Sequence, residues 1–242
     1  MAEHGMMMNN MNIQKNLFED KDALANGLAD HVAETLNDAL QASGRALLAV
    51  SGGSTPKRFF QALSQKDLDW SGVTVTLVDE RWVDDTDDRS NARLVKQNLL
   101  QNKAAAAQFM PLYTGDSSPQ EGIATLEESF AELNMPLTVS ILGMGTDGHT
   151  ASFFPDGDQL DAAVDLENSA NFITMAAPGA GEPRITFTLQ ALLKSSLLCL
   201  HIEGEEKQMV LVEAHENEPV NEMPIRAVLR QDQTNLTVYW CP

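Results

Sequence analysis

The sequence predicts an α/β fold built on a mostly parallel sheet with helices on both faces. Short apolar runs alternate with segments of helical period from end to end. Two of those runs, Ala46–Val50 and Leu137–Leu142, pass directly into glycine-rich turns, Ser51-Gly52-Gly53-Ser54-Thr55-Pro56 and Gly143-Met144-Gly145-Thr146-Asp147-Gly148-His149-Thr150. Ligands of such sheets collect at the carboxyl ends of the strands, so both turns fall on one edge.

The elements follow from period and punctuation. Leu17 to Ala42 has helical spacing and stops at Ser43-Gly44, and Ala46–Val50 is a strand. Pro56 to Ser64 is a helix, with Pro56 in the first turn and Thr55 or Ser54 as the cap of its amides. Val73 to Val78 is a strand, Asp79 to Arg89 a loop, and Ser90 to Asn102 a helix capped by Ser90. A short strand over Phe109–Tyr113, a helix over Pro119–Leu133 and a strand over Leu137–Leu142 come next. Asn171–Ala176 reads as a strand, Leu189–Lys194 as helical and Ser196–Glu203 as a strand. Gly204–His215 opens a helix, Pro219–Arg230 is helical and Leu236–Trp240 is the last strand. No repeat or linker divides the chain, so residues 13–242 read as one domain behind a flexible, Met/Asn-rich segment, residues 1–12.

Three places carry chemistry. In the first glycine turn, free backbone N–H groups, the positive end of a helix and several hydroxyls converge, which is how a phosphate is held. The spacing is neither that of a Walker A loop nor that of a dinucleotide fingerprint, which points to a phosphate monoester. An ordinary capped strand-to-helix turn would have the same pattern. The second turn delivers an imidazole, His149, two residues after Asp147, whereas the bland alternative is an exposed histidine on a connector. The third is Asp79-Glu80-Arg81-Trp82 at the end of a strand, where Arg81 can fork onto a phosphate or polarise a carbonyl and Asp79 or Glu80 can orient it; a surface salt bridge is the alternative. Asn91 and Arg93 open the next helix, either reaching the same cleft or only capping and solvating it.

With 35 acidic against 16 basic residues among 242, the formal net charge is −19. Such a field repels nucleic acid and anionic membranes. No apolar stretch approaches the ~18–20 residues of a membrane span, and the start lacks the layout of a signal peptide, so a cytoplasmic protein is expected. Two cysteines without metal-type spacing, Cys199 in an apolar run and the penultimate Cys241, fit a buried and a terminal thiol. His4, His31, His201 and His215 have no motif around them and read as solvated or structural.

Ser51–Pro56, Asp79-Glu80-Arg81-Trp82 with Ser90-Asn91-x-Arg93, Gly143-Met144-Gly145-x-Asp147-Gly148-His149-Thr150-Ala151-Ser152-x-Phe154-Pro155, and Pro183-Arg184-Ile185-Thr186 together resemble the 6-phosphogluconolactonase family, in the family's order and spacing, from about Leu17 to Trp240. The resemblance implies a Rossmann-like three-layer sandwich similar to the glucosamine-6-phosphate deaminase and ribose-5-phosphate isomerase group. It also implies hydrolysis of 6-phospho-D-glucono-1,5-lactone in the oxidative pentose phosphate pathway, with a small sugar-phosphate substrate, no metal or organic cofactor, and a monomer or small homo-oligomer. His149, Asp147 and Arg81 are then the catalytic candidates. Ser51, Gly52, Gly53, Ser54, Thr55, Asp79, Asn91, Arg93, Gly145, Arg184 and Lys207 are the candidates for holding substrate and phosphate.

Two rivals use the same parts. The related deaminases typically carry Asp-Glu-Tyr where this chain has Asp79-Glu80-Arg81-Trp82, and continue after the histidine with Ile-Ala-Phe-Asn-Glu where this chain has Thr150-Ala151-Ser152-Phe153-Phe154. A sugar-phosphate sensor would need no base, and His149 in a complete loop argues against it.

Overall fold

The computed structural model describes residues 12–242; His4 and the Met/Asn-rich stretch up to Met11 lie outside the described residues. The centre is a seven-stranded parallel sheet in the order β1 (Ile13–Leu17), β10 (Leu236–Cys241), β9 (Leu197–Glu203), β6 (Val139–Leu142), β2 (Ala46–Val50), β3 (Val73–Leu77) and β5 (Gln108–Phe109). β2, β3 and β6 are buried along their whole length, which is why they read as continuous apolar or Thr/Val runs and not as alternating ones. Helices cover both sides. α1 (Lys21–Ser43) presents Leu24, Leu28, Val32 and Leu36 to the sheet at helical spacing. Asp20 caps its start by accepting from the Ala23 N–H at 2.8 Å, and Gly44, at φ 75°, ends it in the left-handed conformation.

A second sheet is three-stranded and antiparallel, β4 (Asp79–Arg81), β8 (Arg184–Phe187) and β7 (Phe172–Met175); β7 lies within the strand expected over Asn171–Ala176, whereas β4 falls where a loop is expected over Asp79–Arg89 and β8 has no expected counterpart. Val78 joins the two sheets. Its N–H donates to Val50 O at 2.9 Å in the large sheet, and its carbonyl accepts from the Phe187 N–H at 3.0 Å in the small one. The strand that leaves the parallel core therefore delivers Asp79 and Arg81 against β8 within three residues.

Several boundaries differ from expectation. Leu17 belongs to β1 and not to the first helix, because Ile13–Leu17 pairs in register with Leu236–Trp240. Neither Thr55 nor Ser54 caps α2 (Lys57–Ser64); Pro56 is its N-cap and no side-chain cap bond is made. The helix expected over Ser90–Asn102 ends at Asn98 as α3 (Asn91–Asn98), and Asn102–Ala106 is a 3₁₀ turn entered by Asn102 at φ 51°. The strand expected over Phe109–Tyr113 is only Gln108–Phe109, and the helix expected from Pro219 begins at Ile225 as α8 (Ile225–Arg230). α4 (Pro119–Leu133), α6 (Leu189–Leu192) and α7 (Glu205–Ala214) lie within the expected segments, and α5 (Leu160–Val164) is a short addition. Cys199 and Cys241 are both buried free thiols, and burial pushes the pKa of both up, making them less acidic than a free thiol.

Candidate active site

Both glycine turns and the start of the small sheet meet in one cleft of about 270 Å³ at the carboxyl edge of the parallel sheet. Ser51, Gly52, Gly53, Ser54, Thr55, Asp79, Arg81, Asn91, Gly145, His149, Arg184 and Lys207 all line it. Arg93 does not. Its guanidinium donates to Thr86 O and pairs with Asp88 at 3.4 Å on the outside of α3, so its assignment to substrate is corrected to a loop-fastening role.

The turn after β2 is fixed from below: Ser51 Oγ donates to Ile141 O at 2.7 Å, tying β2 to β6 at the point where both strands leave the core. Gly53 has φ +87°, a conformation that L side chains rarely adopt. Gly52 is constrained by space instead, since a Cβ there would stand 1.9 Å from Asn91 Oδ1. Asn91 is itself held by an Nδ2 bond to Asp79 O at 3.0 Å.

Glu80 is fully buried and does not orient the Arg81 guanidinium, one of the roles expected for it. Its carboxylate accepts from the backbone N–H groups of Asn91 and Ala92, both at 2.8 Å, and from Ser90 Oγ at 3.3 Å, so it closes the amino end of α3. Burial pushes its pKa up to about 7, although the backbone bonds from Asn91, Ala92 and Arg81 oppose the rise. The Arg81 side chain donates from Nη1 to Arg89 O at 2.6 Å, and its buried Nε has no partner among the described residues.

In the second turn, Gly145 N–H donates to His149 O at 2.8 Å and Gly148 takes φ 77°. A Cβ at Gly145 would stand 2.2 Å from His149 Nδ1, so only glycine leaves room for the ring. Asp147 Oδ1 lies 2.5 Å from that same Nδ1 and also accepts the His149 N–H at 3.0 Å. A carboxylate can only accept, so the ring proton sits on Nδ1 and the lone pair on Nε2. Burial pushes the pKa of the Asp147 carboxyl up, but the hydrogen bonds and charge of His149 outweigh it and hold the group below the usual carboxylate range.

Arg184 is almost wholly buried. Its Nη2 donates to Ala180 O at 2.7 Å, its Nη1 lies 3.6 Å from Asp79 Oδ2, and Asp79 in turn accepts from Ser152 Oγ at 2.6 Å. Desolvation pulls the guanidinium pKa down and the Asp79 charge opposes it. Lys207, in the first turn of α7, reaches across to Met144 O at 2.6 Å; burial lowers its pKa against the attraction of Glu206 and Asp147. Three residues escaped the sequence reading. Ser152, which fixes Asp79, stands in the quoted histidine motif with no signal of its role, and Phe154 of the same motif touches both His149 and Arg184. His201, read as solvated or structural, is buried, lies 3.1 Å from Glu203 and lines the cleft.

Residues 19–240 match the family model described as glucosamine-6-phosphate isomerases/6-phosphogluconolactonase. A 6-phosphogluconolactonase of Rhizobium meliloti is 52% identical over 232 residues, covering 96% of this chain and 100% of that protein. One of Mesorhizobium japonicum is 45% identical over 97% of this chain and 98% of its own length. The crystal structure of a 6-phosphogluconolactonase from Shewanella baltica superposes with a TM-score of 0.91 at 42% identity, covering 95% of this chain and 98% of that one. A monomeric glucosamine-6-phosphate deaminase shares the fold at a TM-score of 0.75 and 16% identity. The chain belongs to the glucosamine-6-phosphate isomerase/6-phosphogluconolactonase family.

Proposed function

We propose that this chain hydrolyses 6-phospho-D-glucono-1,5-lactone to 6-phospho-D-gluconate in the oxidative pentose phosphate pathway, with His149 as the base. The observation that carries the reading is the Asp147–His149 pair at 2.5 Å, with His149 lining the same cleft as the Ser51–Thr55 turn and Arg184. The relatives at 52% and 45% identity bear the name of that activity and span nearly the whole chain.

Water enters beside His149 Nε2, which takes a proton as the oxygen attacks the lactone carbonyl carbon. Asp147 stabilises the imidazolium that forms. The tetrahedral oxyanion then collapses, the bond from the carbonyl carbon to the ring oxygen breaks, and the imidazolium returns its proton to that oxygen. Arg81, which lines the cleft, is the residue assigned to the oxyanion. The Ser51–Thr55 turn, Arg184 and Lys207 hold the phosphate, with Asn91 and Asp79 fixing the walls around it. The same reading makes the substrate a small anionic molecule and the enzyme a cytoplasmic monomer or small homo-oligomer; among the described residues no helix is long and apolar enough to cross a membrane.

The test is a coupled assay that follows lactone loss above the spontaneous rate, run beside a deaminase assay with glucosamine 6-phosphate. Lactone turnover without ammonia release is the expected result. Ammonia release with no excess lactone loss overturns it.

A further inference from the structure

The histidine motif ends in Phe154, a residue that the hydrolytic scheme above leaves without a task. It is 1% exposed. Its ring stacks on the His149 imidazole with centroids 4.4 Å apart and planes inclined by 19°. The Arg184 guanidinium carbon also lies over the Phe154 ring, 5.0 Å from its centroid. Arg184 is buried, bonded to Ala180 O and within 4.0 Å of Asp79 and Glu182. One rigid aromatic plate thus touches both the base and the cation assigned to the phosphate.

We propose that Phe154 is a positioning residue that fixes the His149 ring plane against Arg184 and, through the negative face of its π system, favours the protonated imidazole formed during turnover. The inference rests on the reading of His149 as the base. The face of an aromatic ring attracts a cation and has no such preference for a neutral imidazole. The charged groups around the imidazole come from several elements: Asp147 on its own loop, Lys207 on α7 whose charge is felt at Asp147, and Arg184, Asp79 and Arg81 from the small sheet. Asp147 favours the imidazolium, while the two arginines and the lysine oppose it. Phe154 adds to the carboxylate's side without a second negative charge that would repel the substrate.

The experiment replaces Phe154 by Leu, which keeps apolar bulk, and separately by pentafluorophenylalanine, which keeps the shape and removes the negative face. Expected in both is a fall in kcat and a shift of the acid limb of kcat/KM to lower pH by about half a unit to one unit, because losing the π face makes the imidazolium less stable. The Leu variant should also raise KM, since Arg184 loses its plate, while the fluorinated ring should raise it less. NMR titration of the His149 ring in each protein reads the same shift without turnover. An acid limb and a ring titration unchanged in the fluorinated variant overturn the proposal and leave Phe154 as packing alone. Should the Leu variant fail to fold, the fluorinated protein decides by itself. A wild-type protein without lactone turnover would defeat the functional reading, yet the NMR comparison would still decide the role of Phe154.

Discussion

Arg81 and Arg184 are direct cross-strand partners in the small sheet, paired on antiparallel β4 and β8. Two like charges opposite one another destabilise a sheet. Asp79 offsets part of the repulsion at 3.6 Å from Arg184, and the Arg184 pKa is still lowered, with burial as the main cause and Arg81 contributing. An anionic ligand between them removes the remaining conflict. Arg184→Lys should therefore raise KM several-fold while kcat changes little, because an ammonium keeps the charge but not the fork. Arg81→Lys should lower kcat as well, since a bond made mainly to the oxyanion appears in turnover. Steady-state kinetics separates the two; an Arg81→Lys change confined to KM would move Arg81 to the phosphate side.

His149→Ala should lower turnover ~10²-fold or more and leave 6-phosphogluconate affinity within a few-fold, because it removes the proton carrier and leaves the phosphate contacts. The spontaneous hydrolysis rate must be subtracted. Near-normal enzymatic turnover would remove His149 from the mechanism.

The two glycines of the first turn should fail differently. Gly53→Val meets open space but a forbidden φ, so it should cost stability together with affinity. Gly52→Ala has to displace the Asn91 carboxamide, so it should weaken 6-phosphogluconate binding with a smaller loss of stability. Calorimetry and thermal melts on both variants check this; equal loss of stability in the two would contradict it.

Glu80 predicts a pH dependence of stability. Its folded pKa of about 7 lies above the ordinary 4.5, so the folded chain holds a proton that the unfolded chain releases between those values. Stability attributable to this group is present below about pH 4.5 and is lost as pH rises to about 7, by an amount on the order of 3 kcal/mol. Urea melts between pH 5 and 7.5 should show that decline, and Glu80→Gln should flatten it. An identical slope in the variant would assign the decline to other groups.

What the sequence made legible follows from length and burial. β2, β3 and β6 are fully buried runs, and α4 carries a Ser118 cap followed by Pro119, so their positions could be read directly. β4 and β8 could not. β4 is three residues long and all charged, β8 is four residues long, and only their pairing makes them strands. The site was legible where glycine was obligatory, as at Gly53 and Gly145. Arg93 misled because two helical residues are separated by about 200° around the axis, so a side chain two positions after Asn91 leaves the cleft. Ser152 acts through Asp79 and Phe154 through Arg184, partners that lie far from them in the chain.

The pairing of β1 with β10 has a consequence for synthesis. The first strand of the described chain finds its neighbour only in the last one, Leu236–Cys241, and the sheet runs from β10 through β9 before reaching β6. A ribosome that has released the whole first half of the chain has therefore exposed Ile13–Leu17 with nothing to pair against. That edge stays open until Leu236–Cys241 emerges, so loss of that strand leaves the amino-terminal strand without a partner and β9 paired on its β6 side alone, and nascent chains should rely on chaperones until β10 is in place.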